Sequence, residues 1–106
     1  MEWTPEKIKE TVQAHRVVCF GKGSKAQPMC GFTHRAIAVL SECGVEFEVV
    51  NIFDDASIRP ALIAFSNWPT TPQVYIDGEF VGGSDIVLEM FESGELQKKL
   101  QPADAS

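Results

Sequence analysis

The sequence has 106 residues, 44% of them hydrophobic and 23% charged, the profile of one soluble globular domain. Nine Lys and Arg against fifteen Asp and Glu leave a formal net charge of −6, which argues against non-specific nucleic-acid binding, since that needs clustered basic groups. No apolar run approaches the roughly 18 residues of a membrane span, and Met1 to Glu10 mix acids with lysines where a secretory signal would be apolar, so a cytoplasmic or organelle-matrix setting is expected.

Thr4-Pro5-Glu6 predicts a helix start, combining a capping hydroxyl, a first-turn proline and an acid suited to the helix dipole; the helix should run to about Ala14. Val17-Val18-Cys19-Phe20 is an unbroken apolar run, as in a strand covered on both faces. Lys22 to Pro28 is a polar loop rich in Gly, Lys and Pro. From Gly31 to Cys43 apolar residues recur at helical spacing, and Gly44 supplies the stop. Phe47, Val49, Val50 and Ile52 predict a second central strand, and Ser57 to Phe65 a helix through Ile58, Leu62 and Phe65. Trp68-Pro69-Thr70-Thr71-Pro72 is no helix, because each proline drives its predecessor into extended backbone. Val74-Tyr75-Ile76, Asp77-Gly78 and Glu79-Phe80-Val81 predict a hairpin with a type I′ turn. Gly82-Gly83 breaks that strand, and Ser84-Asp85 opens a helix carrying Ile86, Val87, Met90 and Phe91. Leu96 and Leu100 continue helical spacing after Gly94, and residues 102–106 are expected to fray. The order α-β-α-β-α-β-β-α-α predicts an α/β fold with a four-stranded mixed sheet flanked by helices.

Three cysteines, Cys19, Cys30 and Cys43, cannot all pair within one chain, which points to a reducing compartment and at least one free thiol. Cys30 follows a loop and directly precedes a helix, where the helix N-terminus favours the thiolate; Lys22 and Lys25 in the loop add positive charge. Thr33 stands three residues on, where a dithiol motif would place its second cysteine, so a C-x-x-C disulfide is excluded. Thr33 is either a donor to the thiolate or an ordinary first-turn threonine. Cys19 is expected in the core, Cys43 in inert packing, and His34 on the surface. Asp54, Asp55 and Glu95 are expected to be solvated helix-end charges. In an α/β fold of this order a cis Thr71-Pro72 bond would turn the backbone of Thr71 toward the cysteine, where an extended ligand can pair with it; an ordinary trans proline at a strand start is the competing reading. At Gly82-Gly83-Ser84-Asp85, a helix start with free N–H groups suits a carboxylate and Asp85 an ammonium, although taken alone Ser84 reads as a plain N-cap and Asp85 as an acid favoured by the helix dipole. Basic groups at one end and Asp85 at the other suit a small zwitterionic peptide bearing a thiol.

Four blocks in register, Lys22-Gly23, Pro28-Met29-Cys30-Gly31-Phe32-Thr33, Trp68-Pro69-Thr70-Thr71-Pro72-Gln73 and Gly82-Gly83-Ser84-Asp85, resemble the signature of monothiol glutaredoxins, proteins of the thioredoxin fold usually marked by Cys-Gly-Phe-Ser. The resemblance implies glutathione binding and a [2Fe–2S] cluster shared by a homodimer, with one cysteine from each chain and one thiolate from each of two glutathiones. By that resemblance Cys30 is the cluster ligand and the reactive thiol. Lys22 and Arg59 would meet the glycine carboxylate of glutathione, Thr71 its backbone, and Gly83, Ser84 and Asp85 its γ-glutamyl end; Phe32 and Pro72 complete the site. Trp68 and Pro69 would shape the groove, with Trp68 as plain core filler the competing reading. The family transfers clusters to apo-proteins and pairs with BolA-type proteins. An alternative is an enzyme that removes glutathione from protein mixed disulfides through Cys30 alone. The sequence departs from the family pattern in three places. Thr33 replaces serine and brings a methyl close to the sulfur, Ser84 stands where many relatives have a second cysteine, and Ile63 stands where a basic residue is frequent.

Overall fold

A strand that must be apolar on both faces belongs at the centre of a sheet. In the computed structural model, which describes residues 2–101, β1 (Val17–Gly21) takes that place. It pairs parallel with β2 (Glu48–Asn51) and antiparallel with β3 (Gln73–Ile76); β4 (Glu79–Gly82) extends the sheet antiparallel to β3, giving the order β2-β1-β3-β4. Alternate β1 side chains enter opposite cores. Val17 and Cys19 join Ala36, Leu40, Val74, Ile76 and Val87 on one face, while Val18 and Phe20 join Ile8, Val12, Ile58, Leu62 and Tyr75 on the other.

Those cores recruit the helices. α1 (Pro5–Ala14) and α3 (Ile58–Ser66) cover one face, and α2 (Gly31–Glu42), α4 (Ser84–Ser93) and α5 (Glu95–Lys99) the other. The Thr4 hydroxyl accepts from the Lys7 N–H at 3.2 Å, capping α1 as its sequence predicts. Asp77 and Gly78 adopt φ values of 54° and 80°, both positive as a type I′ turn requires. Arg16, just ahead of β1, donates to the carbonyls of Leu100 and Gln101 at 2.9 and 2.6 Å, so the end of α5 is tied to the sheet.

The strand after α2 corrects one expectation. β2 lies at the edge of the sheet, not at its centre, and Glu48 is exposed while Val49 and Val50 are only half-buried. A single neighbouring strand leaves it partly open, which the apolar composition alone does not reveal. The expected fraying of residues 102–106 lies outside the described residues.

Candidate functional site

Cys30 caps α2. Its backbone is extended (φ −143°, ψ 135°) and its carbonyl accepts from the His34 N–H at 2.9 Å, so the thiol stands over the first-turn amides of the helix. Those amides decide its acidity. The Thr33 N–H pulls the thiol below its ordinary value; partial burial opposes this, and the Phe32 N–H, the Lys22 charge and the Thr33 hydroxyl assist.

Thr33 is fully buried, and its Oγ1 accepts from the Lys22 N–H at 3.1 Å. A hydroxyl that accepts there keeps its own hydrogen to donate toward the sulfur. Its methyl packs against β1 at Gly21. A Cβ on Gly21 would come within 2.6 Å of Thr33 Cγ2, so only glycine leaves room for it.

The loop before Cys30 is a small hairpin of its own. Ser24 N–H donates to the Gln27 carbonyl at 3.1 Å and Met29 N–H to the Lys22 carbonyl at 2.8 Å. Asn51, at the end of β2, accepts from the Gly23 and Phe53 N–H groups at 3.0 and 2.9 Å, fastening the loop to the sheet. Lys25 does not serve Cys30, contrary to expectation. Its ammonium lies 4.0 Å from the Phe47 ring centroid and donates to the Phe47 carbonyl at 3.3 Å, so the hairpin turns it away.

The opposite wall is built by Trp68 to Pro72. The Thr71-Pro72 peptide is cis, as expected. Gln73 is fully buried beneath this segment, with Nε2 donating to the carbonyls of Trp68 and Thr70 at 3.0 and 3.1 Å and Oε1 accepting from Tyr75 at 3.0 Å. The third wall is the start of α4. Gly83, not Ser84, is its cap; Ser84 is the first helical residue and is buried, so its hydroxyl does not cap the helix. The reason is local packing. A Cβ on Gly83 would lie 3.3 Å from the Pro72 carbonyl, so the chain passes closest to the cis proline at that glycine. Asp85 is well exposed, and its Oδ1 accepts from Arg35 Nη1 on α2 at 3.4 Å.

These walls enclose an open groove of about 620 Å3. Nine of the residues singled out line it: Cys30 and Phe32 from α2, Lys22 from the loop, Arg59 from α3, Thr71 and Pro72 from the cis-proline turn, and Gly83, Ser84 and Asp85 from α4, whereas Pro69, expected to shape the groove, is not among its lining residues. Trp68 also lines it and is 48% exposed, which decides for a groove wall against core filler. A larger concavity of about 850 Å3 lies beside Trp3 and Pro60, but among the described residues no thiol or basic side chain lines it.

A glutaredoxin family model matches residues 17–81. A relative from Synechocystis, named an uncharacterized monothiol glutaredoxin (ycf64-like), is 47% identical over 103 residues, covering 97% of this chain and 96% of its own. The chain belongs to the glutaredoxin family, in its monothiol branch. Solved glutaredoxins share the fold. A monomeric truncated mutant of Trypanosoma brucei 1-C-Grx1 superposes with a TM-score of 0.85 at 39% identity, over 94% of this chain and 91% of its own. A buckwheat glutaredoxin–glutathione complex gives 0.80 at 25% identity, over 91% and 86%.

The other cysteines of this glutaredoxin stay out of the groove. Cys19 is fully buried in β1 and burial pushes its thiol up to about 12. Cys43, at the far end of α2, packs partly against the same core and its thiol is raised by burial and by Glu42. His34 is exposed, as expected. Asp55 is more than a solvated acid, because it accepts from the Ser57 N–H at 2.9 Å and its hydroxyl at 2.7 Å. Sequence reasoning missed Asn51, Gln73 and Arg35. A polar residue inside an apolar strand pattern was the available signal for Gln73; Asn51 and Arg35 carried none.

Proposed function

We propose that this chain binds glutathione in the Cys30 groove and, as a homodimer, carries a [2Fe–2S] cluster for storage or delivery to apo-proteins. One observation carries the reading: Cys30, the single thiol among the described residues of the groove, shares it with two basic side chains, Lys22 on the loop and Arg59 on α3, and one carboxylate, Asp85 on α4. That polarity matches a glutathione lying with its glycine carboxylate at Lys22 and Arg59 and its γ-glutamyl ammonium at Asp85. Thr71, beside Pro72, offers backbone groups to the cysteinyl part, with Phe32 flanking the thiol. The first-turn amides of α4 at Ser84 and Asp85 have no intrahelical acceptor and suit the γ-glutamyl carboxylate. The related buckwheat glutaredoxin was solved as a complex with glutathione, which supports glutathione as the ligand.

The donor set fits the cluster only through shared thiols. Such a cluster takes about four sulfur ligands, and among the described residues no group of three or more His, Cys, Asp or Glu side chains is placed to hold a metal ion. With Cys19 sealed and Cys43 at the far end of α2, each chain supplies Cys30 alone, and a bound glutathione thiolate supplies its pair. Two chains and two glutathiones then complete the set. The Thr33 amide and its neighbours lower the Cys30 thiol, which favours the thiolate that a metal binds. Among the described residues no helix is long and apolar enough to cross a membrane. The free thiol fits a reducing compartment, cytoplasm or organelle matrix, and BolA-type proteins and apo iron–sulfur proteins are the proposed partners.

The test is anaerobic reconstitution with iron, sulfide and glutathione, followed by gel filtration with visible detection. A coloured dimer that requires glutathione and vanishes in Cys30→Ser is expected. Colour retained by Cys30→Ser would overturn the ligation. The low thiol pKa equally favours a second reading, deglutathionylation. There the Cys30 thiolate attacks the glutathione sulfur of a mixed disulfide, expelling the protein thiolate. A second glutathione thiolate then attacks the glutathionyl sulfur, releasing Cys30 and forming glutathione disulfide. Sustained turnover on a glutathionylated protein, with a colourless monomer after reconstitution, would favour it.

A further inference from the structure

Among the described residues Asp85 is the single acid lining the groove, and it is already engaged. Arg35, five residues after Cys30 on α2, reaches across to α4 and places Nη1 3.4 Å from Asp85 Oδ1. Arg35 itself does not line the groove. The contact is long, one-pronged and half-exposed, with side chains 49% and 81% accessible, so it is weak and easily exchanged. A guanidinium so close still offsets part of the negative potential that Asp85 presents to an incoming cation. The groove therefore carries two basic side chains, Lys22 on the loop and Arg59 on α3, and one carboxylate on α4 whose charge Arg35 already offsets in part.

We propose that Arg35 is a positioning residue that sets ligand selectivity by competing, through Asp85, with the ammonium of the bound peptide. The inference rests on the placement of the γ-glutamyl ammonium at Asp85. Arg35 weakens recognition of that ammonium and so narrows the preference for glutathione over peptides whose amino group is missing or blocked. Both effects are Coulombic between exposed groups, so they fade as salt shortens the Debye length.

Calorimetry of the reduced, full-length protein tests this with glutathione and with glutaryl-cysteinylglycine, which lacks only the amino group. Arg35→Gln should tighten glutathione about threefold at low ionic strength, the scale of one exposed charge pair, and leave the amine-free peptide unchanged or weaker. The gain should largely disappear in roughly molar salt, where the Debye length is about 3 Å. Arg35→Lys, which keeps the charge, should behave as the native protein, and Arg35→Gln on an Asp85→Asn background should change nothing. Weaker or unchanged glutathione binding in Arg35→Gln overturns the inference, as does an equal shift for both peptides. Asp85→Asn read alone separates the two levels. If it fails to weaken glutathione relative to the amine-free peptide, the placement of glutathione has failed; if it does weaken it while Arg35→Gln is silent, only the competition has failed.

Discussion

Cys19 and Cys30 lie eleven positions apart in the chain and have opposite chemistry. Cys19 is sealed in the middle of β1 and burial lifts its thiol to about 12, leaving no thiolate near neutrality. Cys30, one residue ahead of α2, is held below the ordinary thiol value by the Thr33 and Phe32 amides, the Lys22 charge and the Thr33 hydroxyl, against partial burial. Residue type contributes nothing to this difference. A strand interior offers a thiolate no donors, since its amides are spent on neighbouring strands, whereas a helix start has amides left over. The two places are also joined mechanically, because Gly21 at the end of Cys19's strand makes room for the threonine that serves Cys30.

The largest expected effect is in reactivity itself. Iodoacetamide at neutral pH should label Cys30 and leave Cys19 untouched until the protein is unfolded, as mass spectrometry of digests would show. Labelling of Cys19 in the folded protein at a rate near that of Cys30 would break the contrast. Next comes the joint between them. Gly21→Ala puts a methyl 2.6 Å from Thr33 Cγ2, and overpacking of this kind costs about 1–3 kcal/mol, to be read from denaturant midpoints. The same variant should also shift the alkylation–pH profile, since Thr33 must move. A stable Gly21→Ala with an unchanged profile would show that β1 and the thiol site are independent.

The smallest effect isolates the hydroxyl. The thiolate is the charged form, so losing a donor to it raises the pKa. Thr33→Val should move the midpoint of the alkylation–pH profile upward, and reactivity at a fixed pH below that midpoint should fall. Thr33→Ser keeps the donor and should hold the native midpoint, with a small loss of stability from the space left beside Gly21. A Thr33→Val profile identical to the native one would assign the acidity to the backbone amides and Lys22 alone.

Local signals wrote much of the molecule into its sequence. The type I′ turn was legible because Asp-Gly tolerates two successive positive φ values, and the α1 start because Thr4 and Pro5 each meet a need of the first turn. The groove residues were legible as four separated blocks, each tied to a loop or a helix start where backbone groups are left unspent. The edge position of β2 was not legible, since Val49 and Val50 look as apolar as a central strand and only the sheet order shows one side open. The direction of Lys25 and the pairing of Arg35 with Asp85 escaped for the same reason: long flexible side chains choose partners across the fold, not along the chain.

The sequence by itself determined the order of elements, the absence of a second thiol three residues after Cys30, and the supply of cations and acid that the groove uses. These are properties of composition and short-range backbone preference, fixed before any long-range contact forms. Only the tertiary structure decided that Gly21 takes up the Thr33 methyl, that Gln73 underpins the Trp68–Pro72 wall, that Gly83 and not Ser84 caps α4, and that Arg35 already occupies Asp85. Each of these depends on two segments distant in the chain coming within contact distance, which sheet order and helix packing set together.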